Sequence, residues 1–340
     1  MNVLKQYILY NNDIPVARFS EEFTLIKEYH ADVPELLPMQ ISRTSADGFA
    51  SWIRERSIDL NTLQHRNMVN ELHGSRDKIT LALQTHMFSI SDTFTCFEEG
   101  EFQPRASICT PGDQNFVSRY ILVSSDTSLR NLKIATPNIS TDGSFPKTWV
   151  YENNDWWLYK LQSEAATRSE VEISRVLRDC GWETAEYDYV PDTFEKVKTR
   201  NFVGTDEFFE PYDSFRYRFS NPSDDDLTVY HNLASLGEEY EQAWQRIMIA
   251  DAFFENTDRH MRNFGAIRSA KTGAVLRLAP NFDNNQAYRA NPAGKYSPAM
   301  LEGFMRNADG AMRSELECLT KVCLKNPYLL EAAQAAQRIL

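Results

Sequence analysis

Asp258, Asn263 and Asp283 are the residues of this chain whose types and spacing could do chemistry together, and one stretch, NTDRHMRNFGAIRSAKTGAVLRLAPNFD (256–283), carries all three. Asp258 and Asn263 stand in an Asp-x-x-x-x-Asn spacing within a polar loop. Two short apolar runs follow, Phe264–Ile267 and Ala274–Ala279, joined by a turn-forming segment ending in Lys271-Thr272-Gly273, and this pattern predicts a β-hairpin. A hairpin returns the backbone to its starting end, which brings Asp283 back beside Asp258 and Asn263. One carboxylate to receive or orient an attacking hydroxyl, with two further oxygen donors to hold Mg²⁺ against phosphates, is the equipment of phosphoryl transfer. The plainer reading is that Asn256, Thr257 and Asp258 cap and turn the chain after a helix, and that Asp283-Asn284-Asn285 is an ordinary polar turn. The three residues in this order favour the chemical reading.

Several elements must position that stretch. Tyr240, Trp244, Ile247, Met248 and Phe254 recur at helical spacing and predict a helix that delivers the chain into the loop. Upstream, the polar loop Ser140-Thr141-Asp142-Gly143-Ser144-Phe145-Pro146-Lys147 precedes a strand starting near Thr148. Its small residues would let backbone N–H groups approach phosphate oxygens. Thr148–Tyr151 and Trp156–Lys160 predict a hairpin, with Trp156, Leu158 and Lys160 on one face. Lys160 then either snorkels to solvent or enters a cleft and neutralises phosphates. In the next segment Ser169 and Glu172 form a capping-box pattern, which predicts a helix starting there and ending at Gly181, with Ile173, Val176, Leu177 and Cys180 as its buried stripe. Glu170, in the first turn of that helix, either pairs with Lys160 or merely complements the helix dipole, for about 0.3–1 kcal/mol.

NTDRHMRNFG followed by LAPNFD resembles the catalytic segment of the HipA-like serine/threonine kinases, and the resemblance extends over about residues 131–310. It implies an α+β, bilobal protein-kinase-like fold with a sheet-rich small lobe (131–210) and a mostly helical large lobe (211–340); ahead of them, the strand and helix patterns of residues 1–130 read as a small α+β module. ATP and Mg²⁺ are the implied cofactors. By motif match, Asp258 is the implied catalytic base, and Asn263 and Asp283 are the implied metal ligands. The Ser-x-x-Gly-x-x-x-Lys loop implies nucleotide contacts at Gly143, Ser144 and Lys147, and the family's Lys–Glu spacing implies an ion pair between Lys160 and Glu170. Ser140 is the implied autophosphorylation site, with Thr141 and Ser144 adjacent to it. Phe145 and Pro146 depart from the family's best-known member. The resemblance further implies a protein substrate with a Ser or Thr acceptor and, as for toxin members of the family, an antitoxin-like partner. Two alternatives stand beside this reading: a kinase-like enzyme acting on a lipid or small-molecule alcohol, and a pseudokinase or antitoxin-binding module. Joint retention of Lys160, Asp258, Asn263 and Asp283 argues against the second.

Composition narrows the classes further. A net charge of −12 over 340 residues opposes direct binding to nucleic acid or to an anionic membrane. No apolar run approaches the roughly 18–20 residues needed to span a bilayer. The opening MNVLKQYILYNNDIPVARFS lacks a signal-peptide pattern, so a cytoplasmic protein is expected. Five cysteines without a Cys-x-x-Cys pair predict reduced thiols, and His30, His65, His73 and His86 have no metal-ligand spacing. In the first module Lys5–Leu9, Val16–Phe19 and Phe88–Cys96 read as strands, and Ser45–Ile58, Leu63–Leu72 and Asp77–Leu83 as helices. Pro111–Asn138 reads as an irregular junction, Phe202–Phe209 as the linker beside the adenine, and Met312–Leu324 with Tyr328–Leu340 as the last helices.

Overall fold

Short antiparallel hairpins organise the computed structural model, which describes residues 5–30, 32–43, 47–58, 60, 63–72, 77–123, 136–140, 145–191, 193–288 and 296–340. The first sheet contains β1 (Gln6–Asn11), β2 (Ile14–Ser20), β3 (Leu25–Glu28) and β4 (Phe94–Glu98), in the order β3-β2-β1-β4. Asn11 pairs with Ile14, which leaves Asn12 and Asp13 as a two-residue turn, both at positive φ (49° and 68°). Asn and Asp tolerate that conformation better than most residues. Helices Asp47–Glu55 and Lys78–Gln84 contribute Phe49, Trp52, Ile53 and Ala82 to the same buried cluster as Leu9, Phe19 and Phe94 of the sheet.

A second sheet contains β5 (Lys147–Glu152), β6 (Asp155–Leu161), β7 (Tyr187–Tyr189) and β8 (Lys196–Arg200), in the order β5-β6-β8-β7. Asn153 and Asn154, at φ 52° and 63°, make its hairpin turn. The third sheet is small, with order β11-β10-β9: β9 (Glu207–Pro211), β10 (Gly265–Ser269) and β11 (Val275–Leu278). The hairpin predicted after the polar loop is thus present as β10 and β11. Helices Glu238–Phe254, Ala299–Met305, Gly310–Cys323 and Leu330–Ile339 bury Ile249, Phe253, Leu301, Leu316, Leu319 and Ala332 in one core, which helix Glu164–Asp179 joins through Ile173, Val176 and Leu177.

Three local expectations need correction. The helix carrying Glu170 begins at Glu164, where Ser163 Oγ accepts from Ala166 N at 3.2 Å. Ser169 lies inside it and donates to the carbonyls of Asn284 (2.9 Å) and Ala287 (2.7 Å), so its Ser-x-x-Glu pattern is not a cap. Pro111–Val123 is a helix rather than an irregular junction. Thr110 Oγ1 accepts from Asp113 N at 3.2 Å, and Pro111 occupies the first turn, where its missing N–H costs nothing. Finally, β4 starts at Phe94, because Asp92 accepts from Phe94 N at 2.9 Å and ends a bend that interrupts the alternation from Phe88.

The first 110 residues are packed into the rest of the chain. Phe208 of β9 and Ala270 after β10 lie in the buried cluster of the first sheet. Arg268, fully buried on β10, pairs with Glu210 and donates to the backbone carbonyls of Glu35 and Leu37. Glu210 also accepts from Met39 N at 2.6 Å. Gly273, at φ +72°, lies so close to Glu35 that any Cβ there would collide with the Glu35 backbone.

Candidate active site

A cleft of about 310 Å³ opens between the second sheet, the third sheet and the first module. Lys147, Lys160, Asp258, Asn263 and Asp283 all line it. Lys147 and Lys160 are direct neighbours across the β5–β6 ladder, so the hairpin presents two ammonium-bearing residues side by side. Lys160 Nζ lies 2.7 Å from Glu170 Oε1 and 2.7 Å from Asp283 Oδ1, and Gln162 Nε2 holds the other oxygen of Glu170 at 2.6 Å. Of the two arrangements open to Lys160, snorkelling is ruled out by its burial at 5% exposure.

The loop carrying Asp258 is held by its own polar groups. Helix Glu238–Phe254 stops at Glu255, which adopts a left-handed conformation (φ 53°) and redirects the chain. Asn256 Oδ1 accepts from Asp258 N at 3.3 Å, and Asn263 Nδ2 donates to the Asp258 carbonyl at 3.0 Å. The Asn263 amide nitrogen is therefore spent on the loop, and its Oδ1 is the atom left to meet a cation. Asp283, also left-handed at φ 61°, accepts from Lys160 and Asn285 through Oδ1, while its backbone N–H donates to Tyr187 Oη at 3.0 Å.

Charge sets the protonation of this group. Burial acts to raise the Asp283 carboxyl, but Lys160, Lys147 and Arg259 outweigh it and lower its pKa to about 2. Burial likewise acts to lower Lys160, and Asp283 and Glu170 more than reverse it, so the ammonium is held well above its usual range. Glu170 is raised, with burial the leading cause and Lys160 opposing it. Lys160 is thus a fixed cation with Asp283 as a fixed anion against it. Asp283 and the Asn263 amide oxygen are hard donors of the kind Mg²⁺ prefers. Among the described residues no group of three or more His, Cys, Asp or Glu is arranged to hold a metal, so a cation here would take further oxygens from a bound ligand or water.

Away from these charges the cleft is aromatic. Phe202, Phe209 and Phe282 form a mutually packed trio, with ring centroids 5.4–5.9 Å apart. Thr199 and Asn201 flank it at the end of β8. The first module closes the opposite side with Trp52, Arg56 and Asp92, the guanidinium of Arg56 lying 4.3 Å from the Trp52 ring and pairing with Asp92.

The structure therefore gathers Lys147, Lys160, Glu170, Asp258, Asn263 and Asp283 around one cleft. Gly143 and Ser144 lie outside the described residues. So does the Ser140 side chain, although the backbone of Ser140 ends the 3₁₀ turn Pro137–Ser140. No protein-family model and no curated protein matches the chain. Among solved structures, HipA of Shewanella oneidensis MR-1, determined as a toxin–antitoxin complex with HipB and operator DNA, matches with a TM-score of 0.57 at 13% identity. The match covers 98% of this chain and 91% of that one. The chain has a HipA-like kinase fold. A Helicobacter pylori proinflammatory kinase, CtkA, is also similar, with a TM-score of 0.46 and 13% identity over 57% of this chain and 90% of its own.

Within this HipA-like fold, sequence reasoning missed Arg259, Tyr187 and the residues of the first module that wall the cleft. Arg259 adjoins Asp258, and a charged residue inside that polar loop was the available signal for it. Tyr187 and Trp52 carry no local signal, since an aromatic residue in an apolar pattern reads as core. Among the described residues, no helix is long and apolar enough to cross a membrane.

Proposed function

We propose that the chain is an ATP- and Mg²⁺-dependent protein kinase that transfers a phosphoryl group to Ser or Thr hydroxyls. The observation that carries this reading is Lys160, buried between Glu170 and Asp283 and sharing a cleft with Asp258 and Asn263. Asp258 is the base that takes the proton of the acceptor hydroxyl. Lys160 and Lys147 meet the negative charge of the phosphates, and Glu170 fixes the direction of the Lys160 ammonium. Asn263 and Asp283 are the residues that would hold Mg²⁺, which neutralises phosphate charge when bound. Phe202, Phe209 and Phe282 offer flat apolar faces to the adenine.

The backbone N–H groups of the loop through Gly143 and Ser144 complete the phosphate site in this reading. Ser140 is its autophosphorylation site. A phosphate there adds about −1.5 to −2 charges next to the site for ATP phosphates and would switch the enzyme off. We divide the chain into a module (1–130), a small lobe (131–210) and a helical lobe (211–340). An antitoxin-like protein is the expected partner, by likeness to a HipA structure that contains HipB. The net charge of −12 leaves any DNA contact to such a partner. Incubation with γ-labelled ATP, Mg²⁺ and a cell lysate tests the reading: label on protein Ser or Thr supports it. Absence of transfer to any acceptor, including the chain itself, contradicts it.

A further inference from the structure

Arg259 sits next to Asp258 in sequence but points away from the cleft contents into the protein, where its side chain is 8% exposed. Its guanidinium makes five hydrogen bonds. Nε and Nη2 hold both oxygens of Asp251 at 2.9 Å, at the end of helix Glu238–Phe254. Nη1 donates to the carbonyl of Asn263 at 2.8 Å and to the carbonyl of Phe282 at 2.7 Å. Nη2 also donates to Asn284 Oδ1 at 3.0 Å. One planar cation therefore grips the backbone of Asn263 and brackets Asp283 from the residue before it and the residue after it. Asn256 closes the network by donating to Asp251 Oδ1 at 3.0 Å.

This geometry goes beyond anchoring the fold. Asn263 and Asp283 lie on opposite sides of the β10–β11 hairpin, and a cation shared between them depends on their separation. A Mg²⁺ site demands near-ideal octahedral geometry, so small errors in that separation are costly. A charge alone cannot reproduce the contacts, because the fork of Arg places donors in several fixed directions and the ammonium of Lys does not.

Resting on the kinase reading, we propose that Arg259 is the positioning residue that sets the spacing of the two cation-binding side chains, Asn263 and Asp283. It does not touch nucleotide and takes no proton; it acts through the two backbones it holds.

The test is binding of a fluorescent ATP analogue titrated with Mg²⁺, on wild type, Arg259→Lys and Asp283→Ala, alongside thermal unfolding of each. Arg259→Lys is expected to raise the Mg²⁺ concentration for half-maximal binding about tenfold or more, as loss of support behind a metal ligand does. Binding of the analogue without Mg²⁺ should change less than about threefold, roughly 0.65 kcal/mol. A wild-type Mg²⁺ requirement in folded Arg259→Lys overturns the proposal. So does an equal loss of binding with and without Mg²⁺ alongside a lower Tm, the mark of a merely structural role. Should Arg259→Lys fail to fold, Asn284→Ala removes a single acceptor of the guanidinium. It should shift the Mg²⁺ requirement in the same direction by a smaller factor, and an unshifted requirement overturns the proposal. The Asp283→Ala arm separates the two readings. An unchanged Mg²⁺ requirement there defeats the kinase assignment itself, whereas an effect there without one in Arg259→Lys defeats only the positioning role.

Discussion

Lys160 Nζ lies 2.7 Å from Asp283 Oδ1, although 123 residues separate them in the chain. The contact joins β6 of the second sheet to the segment leaving β11 of the third and so spans the cleft. Its pH dependence follows from the two shifts. Asp283 is depressed to about 2 from 3.8, so the stability it contributes is present above the higher value and is lost as pH falls through the lower. Lys160 is raised above 10.5, so its contribution is complete below that value and is lost only at more alkaline pH. The difference in unfolding free energy between wild type and Asp283→Asn should therefore be flat from about pH 5 to pH 9 and shrink below about pH 4. Denaturant titrations across that range check it, and a difference that changes between pH 6 and pH 8 would show that another group controls the site.

Lys160 and Glu170 should behave as a coupled pair. Removing Lys160 leaves Glu170 buried without its cation, which costs about 3–5 kcal/mol, whereas removing Glu170 leaves Lys160 its second partner, Asp283. Lys160→Ala should destabilise the protein by an amount of that order, Glu170→Ala by less, and the double variant by less than their sum. A double-mutant cycle in urea measures the coupling, and strict additivity would mean that the two side chains do not depend on each other.

Nucleotide affinity should depend on the aromatic trio. Phe209→Ala removes one ring face, worth about 1 kcal/mol or roughly fivefold in Kd. Calorimetry with a non-hydrolysable ATP analogue reads this directly, and Phe202→Ala should give a loss of similar size. Unaltered affinity in both variants would place the adenine elsewhere.

Gly273 should be intolerant of any side chain. Its positive φ alone makes Ala about 1–2 kcal/mol worse, and a Cβ also meets the Glu35 backbone. Gly273→Ala should lower Tm and loosen the first module together with the β10–β11 hairpin, because Arg268 ties them to each other. Hydrogen exchange checks this through joint loss of protection at Leu36–Met39 and Ala266–Arg268.

Much of this arrangement was legible in the sequence because it rests on local patterns. The hairpin between Asn263 and Asp283 is written in two apolar runs and a Gly-ended turn, and the Asn-Asn turn of β5–β6 presents Lys160. The helix start at Ser163 was not legible, since Ser169 offered the stronger Ser-x-x-Glu pattern. What decides against Ser169 is a distant partner, the 284–287 backbone, which its hydroxyl reaches. The same holds for the seal between Arg268, Glu210 and residues 35–39. A buried arginine on a strand reads as an exposed one until its acceptors, brought in from far along the chain, are known.

In the proposed reaction Asp258 receives the acceptor proton during phosphoryl transfer. Asp258→Asn keeps the size of the side chain and removes its basicity, so ATP-analogue affinity should stay within about twofold of wild type while transfer falls by about 10²-fold or more. Single-turnover transfer from γ-labelled ATP, with the chain itself and lysate proteins as acceptors, is the measurement. Loss of transfer with binding retained is the predicted result. Wild-type transfer rates in folded Asp258→Asn would exclude Asp258 as the base.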